Sequence, residues 1–199
     1  MHEDKLLKAA LALVEVMDKT VDKSLPKEIA EIVKFHSKGA AVAALGAAWL
    51  PGAGAAAAMA LNAGFVWSMY ARINTKIDVK LSENIIKTVA SGVATNLASN
   101  AIAFVVVSTA LSFLPGIGSI GSSAIMAGTC YALTLAAGFV YLKILTQIFK
   151  AKADPSTLSA DDLKDIAKSV VEHEDIKSVM KEAKDDFIAA KARGEIVKE

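Results

Sequence analysis

The side chains that could perform acid–base, nucleophilic or metal chemistry in this chain are few and scattered. His36, between Lys34 and Lys38, is either a group that titrates near neutral pH or a solvated boundary residue. His173 has acidic neighbours but no further ligands at metal-binding spacing. Cys130 is the single cysteine, so it forms no disulfide within the chain. We therefore predict a protein that is not an enzyme, with no catalytic residues, metal ligands or cofactor.

Two glycine-containing motifs are the remaining candidates for ligand binding, LPGAG from residue 50 and LPGIG from residue 114. Neither carries the lysine of G-x-x-x-x-G-K-[ST], and each follows a helix-like segment rather than a strand, so neither predicts a phosphate site. Proline and glycine instead end helices. We predict that both motifs are the turns of helical hairpins, formed by Leu50, Pro51, Gly52, Gly54, Leu114, Pro115, Gly116 and Gly118.

The segments on both sides of these turns are apolar over unusual lengths. Residues 39–71 and 88–142 contain no Asp, Glu, Lys, Arg or His, although charged residues make up 22% of the chain. A helix in a soluble domain normally keeps a polar face. The formal net charge of +1 provides no strong field, which excludes a nucleic-acid partner. The two runs predict two apolar hairpins that enter a bilayer or bury one another.

The whole chain has the pattern of an all-α protein, because strand-like alternation is scarce. We predict helices at about 3–22, 26–50, 55–77, 82–113 and 119–150, followed by one or two amphipathic helices. Ser82 is a predicted N-cap, Ser159 and Asp162 resemble a capping box, and Gly194 is a predicted C-cap. Three segments follow: amphipathic N-terminal helices at 1–38, an apolar double-hairpin core at 39–150 and an amphipathic tail at 151–199.

Small residues recur at every fourth position on three of the apolar helices, which lets helix backbones approach closely. These helix-packing rows are Ala56, Ala60, Gly64 and Ser68; Ser91, Thr95, Ser99 and Ala103; and Ala124, Gly128, Ala132 and Ala136. Tight packing is expected in lipid and in a protein core alike.

The hairpins differ in the depth of membrane they could reach. The second is long enough for two crossings of roughly 20 residues each, whereas the first is too short and fits a shallow, re-entrant position. If both point the same way, every charge lies at one end of the bundle. The alternative is a soluble, alanine-rich bundle whose central helices are buried by the amphipathic ones, which the moderate hydropathy of the fourth helix favours.

Aromatic residues precede two cationic positions, as in the interfacial belt of a membrane protein. They are Trp67 and Tyr70 before Arg72, and Tyr141 before Lys143. The alternative is that they are core aromatics with a polar tip.

The C-terminal tail carries an apolar stripe that predicts an interaction face. Its polar side is not rich in lysine, so packing over the hairpins, or pairing with a neighbouring chain, is favoured over binding to anionic lipid. The stripe consists of Ile176, Val179, Met180, Ala183 and Phe187.

Three motifs occur in order along residues 39–150: AALGAAWLPGAGAAAAMALNAGFVWSMYARI, IDVKLSENI and ALSFLPGIGSIGSSAIMAGTCYALTLAAGFVYL. In these motifs the segment resembles a bacterial helical domain of unknown function. That domain occurs in YcjF-like inner-membrane proteins and downstream of Era- or dynamin-like GTPase domains. This chain departs from it at Ala53-Gly54, where the family usually has an acidic residue, and it lacks a GTPase motif. The resemblance implies membrane association and a GTPase-linked partner, and it implies no known reaction.

These observations predict a non-enzymatic protein that associates with a lipid bilayer, self-associates and scaffolds an assembly. The expected location is the cytosolic side of the bacterial inner membrane, because the N-terminus does not resemble a secretion signal. One alternative is a pore-forming effector with a colicin-like hydrophobic hairpin. Another is a soluble, alanine-rich cytoplasmic bundle that forms a large homo-oligomer.

Overall fold

The computed structural model describes residues 2–17, 24–47, 54–93, 97, 122–151 and 157–196. This part of the chain is largely helical and has no strand, which confirms the all-α prediction. The helices are α1 (His2–Val16), α2 (Leu25–Ala47), α3 (Gly54–Ile77), α4 (83–93), α5 (Ser122–Lys150), α6 (Ala160–His173) and α7 (Ile176–Ala192).

Local hydrogen bonds explain where several helices begin and end. Ser159 caps α6 in the predicted capping box: its hydroxyl accepts from the Asp162 N–H, and the Asp162 carboxylate accepts from the Ser159 N–H. The Ser82 hydroxyl accepts from the N–H of Ile85 at the start of α4. Gly194 follows α7 with a φ of 72°, the left-handed conformation that favours glycine after a helix.

The Pro-Gly turns stay a prediction. α2 ends at Ala47 and α3 begins at Gly54, which leaves the predicted position of the first turn between the two helices. The remaining turn residues lie outside the described residues: Leu50, Pro51, Gly52, Leu114, Pro115, Gly116 and Gly118.

Helix α5 is the centre of the bundle. Every residue from 127 to 142 is buried, and α1, α2, α3, α6 and α7 all contact this helix. An apolar surface on all sides requires cover on all sides, which the amphipathic helices supply here. This arrangement corresponds to the alternative in which amphipathic helices bury a central apolar helix.

Side-chain contacts fix the direction of α3 relative to α5. The Cys130 sulfur lies 3.9 Å from the carbonyl oxygen of Ala58, and the Thr134 hydroxyl donates to Asn62 Oδ1 at 2.7 Å. Both residue numbers increase together, so the two helices run parallel.

Helix α2 runs antiparallel to α3 and approaches it closely. Glu28 forms an ion pair with Lys76, while an added Cβ at Gly39 would lie 2.6 Å from the Phe65 ring. Gly138 on α5 is equally tight, because an added Cβ there would lie 2.5 Å from Val33. Because glycine has no side chain, Gly39 and Gly138 let α2, α3 and α5 pack closely together.

The C-terminal helices turn back along the bundle. Lys143 pairs with Glu174 just before α7, and the Phe187 ring covers Gly128 near the other end of α5. Charged residues of α7 therefore flank the apolar half of α5. The expectation that every charge lies at one end of the bundle is wrong for α7.

The three predicted segments contribute to one hydrophobic core. Helix α2 continues without a break across residues 38 and 39. The core includes Leu13 from the first segment, Ala136 from the second and Val179 from the third.

Candidate functional site

The small-residue row of α5 is buried inside the chain. Ala132 and Ala136 are completely buried, and Ala124 is 9% exposed. A Cβ added at Gly128 would lie 3.2 Å from the Phe187 ring, so α7 packs against this row at Gly128.

The equivalent row of α3 has the opposite environment. Ala56, Ala60, Gly64 and Ser68 are all exposed, and a Cβ added at Gly64 would meet no atom within 4 Å. This row is not used for packing within the described part of the chain. On α4, Ser91 is exposed, whereas Thr95, Ser99 and Ala103 lie outside the described residues.

Two of the predicted interfacial aromatics belong to the core. The Tyr70 and Tyr141 rings are buried and stacked, with centroids 3.9 Å apart. The Tyr70 hydroxyl donates to the carbonyl of Ala137, and the Tyr141 hydroxyl donates to Asn74 Oδ1. Their polar tips are satisfied inside the protein, so the interfacial prediction is wrong for both tyrosines.

The other three predicted interfacial residues reach the surface to different extents. Trp67 is 37% exposed, with the ammonium of Lys87 5.7 Å from its ring centroid. Arg72 is exposed on α3. Lys143 is half-buried and paired with Glu174, which ties α5 to the C-terminal helices.

The predicted interaction face of the tail is an internal interface. Ile176, Val179, Met180, Ala183 and Phe187 are all buried. Phe187 also packs against Tyr131 of α5, with ring centroids 5.8 Å apart. Of the two predicted alternatives for this stripe, the structure shows packing within the chain, because α7 packs against α5.

His36 is buried rather than solvated. Its Nδ1 donates to the Ile32 carbonyl at 2.8 Å, which leaves Nε2 as the acceptor for the Ser68 hydroxyl in the neutral ring. Burial lowers the pKa of His36 from its ordinary value, and nearby Arg72 lowers this pKa further against the opposing Ile32 hydrogen bond. His36 therefore links α2 to α3 as a neutral ring. His173 is exposed and donates to the Ser169 carbonyl within its own helix.

The apolar surface that faces solvent is concentrated on α2 and α3. Phe35 is 62% exposed, Val42 39% and Leu61 47%. Phe35 and Val42 are seven residues apart on α2, and Leu61 lies seven residues before Ser68, so each pair shares a helix face. We call Phe35, Val42 and Leu61 the α2–α3 strip. Sequence reasoning missed it, because Phe35 lies in the charged half of α2.

Phe35 of the strip also lines a groove between the two helices with a volume of about 990 Å³. Carboxylates, cations, hydroxyls and apolar groups line it, contributed by Glu28, Glu31, Ile32, Phe35, Ser68, Ala71, Arg72, Thr75 and Lys76. The Arg72 guanidinium carbon lies 5.3 Å from the Phe35 ring centroid, a cation–π contact that joins the two walls. We call this the α2–α3 groove.

Metal ligands and membrane-spanning length bear on what the site can do. Across the described ranges, no group of three or more His, Cys, Asp or Glu side chains could hold a metal ion. One described helix, Ala124–Lys150, is long and apolar enough to cross a membrane, but 89% of its most apolar window is buried. That burial identifies it as a core helix, and core helices of soluble proteins meet the same length and composition criteria.

Comparison with protein-family models, with curated proteins and with solved structures gives no match. The resemblance to the YcjF-like domain therefore stays an expectation from the motifs alone.

Proposed function

We propose that this protein is a non-enzymatic scaffold that docks on the cytosolic face of the bacterial inner membrane through its α2–α3 surface. One observation supports this most directly. The α2–α3 strip faces solvent with Phe35, Val42 and Leu61, while α5, the helix that could span, is covered. Shallow docking uses the surface that is already exposed and leaves the core closed.

The size of the strip sets the strength of docking. Complete burial of a large apolar side chain contributes about 1.5–3 kcal/mol. The exposed fractions of Phe35, Val42 and Leu61 together amount to about one and a half side chains, or roughly 2–4 kcal/mol. Alone, this corresponds to millimolar affinity or weaker. A single copy should therefore bind reversibly, and stable attachment requires several copies.

Self-association is the second part of the proposal, and the small-residue row of α3 supports it. Its exposure and the open space at Gly64 permit a second helix to approach the backbone. Several linked copies present several strips to one bilayer, which raises overall affinity by effective concentration. A GTPase-linked partner, which the family resemblance implies, stays a prediction.

Vesicle flotation with matched leucine variants tests the docking surface. Leu61 and Leu11 have similar exposure, 47% and 41%, but Leu11 lies on α1. Leu61→Glu should reduce the floating fraction at least about fivefold, because a charge opposes burial in lipid. Leu11→Glu should leave flotation unchanged. Equal effects of the two substitutions, or no flotation of the wild type, would remove the proposal.

Membrane washing separates shallow docking from insertion. The proposal expects retention through high salt and release by alkaline carbonate without detergent. Retention through carbonate would place α5 in the bilayer instead. Release as a defined large particle that never binds vesicles would favour the soluble homo-oligomer.

A pore-forming effector is the second candidate, and the burial of Ala124–Lys150 favours it. A spanning-length helix enclosed by amphipathic helices could enter a bilayer once they open. Such a protein should release dye from liposomes at some pH or membrane potential. If the protein binds vesicles and they never leak, the pore-forming candidate is excluded and the scaffold proposal stands.

A further inference from the structure

The chemical groups of the α2–α3 strip and of the α2–α3 groove follow a fixed order along the two helices, because the helices are antiparallel. Val42 and Leu61 lie toward the end of the bundle where α2 ends and α3 begins. Phe35 and Arg72 come next, in cation–π contact. Glu31 lies one helical turn beyond Phe35 on α2. A ligand that lies along the strip and extends into the groove therefore meets an apolar surface, then a cation, then an anion.

Both charged groups are accessible to a ligand. Arg72 and Glu31 are exposed and line the groove. Within the described part of the chain, Arg72 forms no ion pair and lies against the Phe35 ring. A guanidinium held on a ring face keeps N–H donors for a phosphate, which it can bind through two parallel hydrogen bonds. Beyond Glu31, the ion pair between Glu28 and Lys76 joins the two walls.

A phospholipid whose headgroup ends in an ammonium presents its groups in the same order: acyl chain, phosphate, ammonium. The volume of about 990 Å³ is within the range of small-molecule sites. We propose that the α2–α3 groove binds one phosphatidylethanolamine molecule, with its phosphate on Arg72, its ammonium on Glu31 and an acyl chain along Val42 and Leu61. This inference rests on the proposed membrane docking and identifies the lipid that the docking surface recognises.

The two charges distinguish this lipid from its close relatives. A phosphatidylglycerol headgroup has no ammonium, so it leaves Glu31 without a partner beside an anionic ligand. A phosphatidylcholine headgroup carries methyl groups where ethanolamine has N–H donors, so it cannot donate to the Glu31 carboxylate. Loss of one charge-assisted hydrogen bond corresponds to about tenfold in affinity, and this is the expected preference over either lipid.

Calorimetric titration of the full chain with dihexanoyl lipids, kept below their critical micelle concentrations, tests this site without a bilayer. Dihexanoyl-phosphatidylethanolamine should bind about tenfold more tightly than the matching phosphatidylglycerol and phosphatidylcholine. Arg72→Gln should weaken binding of all three lipids by about tenfold or more. Glu31→Gln should remove only the preference for ethanolamine. Inorganic phosphate, which lacks both the ammonium and the chain, should bind more weakly than any of the lipids.

Lys80→Gln is the matched control, because Lys80 is an exposed cation outside the groove. It should leave all affinities unchanged; an effect equal to that of Arg72→Gln would show diffuse charge attraction and overturn the site. Absence of lipid binding by the wild type would also overturn the site. So would a dimer that forms without lipid and dissociates in the Arg72→Gln variant. If the protein floats with vesicles but does not bind the short-chain lipids, the docking proposal stands and the proposed lipid site is overturned. If the protein binds the short-chain lipids but never floats with vesicles, only the docking proposal is overturned.

Discussion

Helices α3 and α5 are similar in composition and opposite in environment. Both carry long uncharged stretches with small residues at every fourth position. On α5 the row from Ala124 to Ala136 is buried, with Phe187 of α7 over Gly128, whereas on α3 the row from Ala56 to Ser68 is exposed. The difference follows from the number of neighbours: α5 contacts five other helices, whereas α3 lies at the side of the bundle. Apolar composition alone therefore does not reveal which helix is buried in the bundle.

The strongest test of this contrast removes the cover of α5. Phe187→Ala should reduce the free energy of unfolding by about 3–5 kcal/mol, because the ring fills the space over Gly128 and beside Tyr131. Denaturant titration measures the change. Ile188→Ala is the control, since Ile188 is 55% exposed and should stay within about 0.5 kcal/mol. Similar losses in both variants would mean that α7 does not cover α5.

The next test compares one glycine from each row. Gly128→Leu should destabilise the protein by about 1–3 kcal/mol, because the added side chain enters space held by Phe187. Gly64→Leu should instead be neutral or stabilising by up to about 1 kcal/mol in the monomer, since leucine has the higher helix propensity. Thermal or chemical unfolding of the two variants gives the comparison. Destabilisation of equal size at both positions would contradict the assigned environments, and an unchanged oligomeric state in Gly64→Leu would remove the self-association proposal.

A loss of similar size is expected from the buried polar contact between α3 and α5. Tyr141→Phe should cost about 1–3 kcal/mol, because it leaves Asn74 Oδ1 buried without its donor. Unfolding in denaturant measures this loss. Thr75→Val is the control, since the Thr75 hydroxyl bonds only its own helix at an exposed position. If Tyr141→Phe is as stable as the wild type, the Tyr141 hydroxyl is exposed to water rather than buried in the core.

The smallest effect is expected at the α2–α3 contact made by His36. The folded state lowers the pKa of His36, so the unfolded chain takes up a proton at higher pH than the folded one. The stability that the neutral ring contributes is complete above pH 6.5 and declines as the pH falls through the lowered folded pKa. Unfolding free energies between pH 7.5 and 5 should decrease more steeply for the wild type than for His36→Gln. Parallel curves would mean that the ring is solvated.

The sequence was sufficient for the helical fold and for several helix ends. Ser82, the Ser159–Asp162 capping box and Gly194 act through neighbours at most four residues away, so local reasoning finds them. The apolar stripe of α7 was also visible, because helical spacing gathers Ile176 and Phe187 on one face. These features need no knowledge of the tertiary arrangement.

The candidate site could not be predicted in the same way. An aromatic residue before a cation has the same local pattern at an interface and in a core, and only the stacking of Tyr70 on Tyr141 distinguishes them. Phe35 has charged neighbours in sequence, and its place beside Arg72 depends on the antiparallel packing of α2 and α3. The α2–α3 strip is a tertiary feature with no sequence signature of its own.

Photo-crosslinking in vesicles identifies the helices that contact lipid. The wild-type protein is bound to vesicles that contain a phospholipid with a diazirine in its acyl chain, and the crosslinked residues are identified by mass spectrometry. Docking through the α2–α3 strip should give crosslinks at Val42 and Leu61 and none on residues 127–142 of α5, which stay buried. Crosslinks concentrated on α5, or none on α2 and α3, would contradict it.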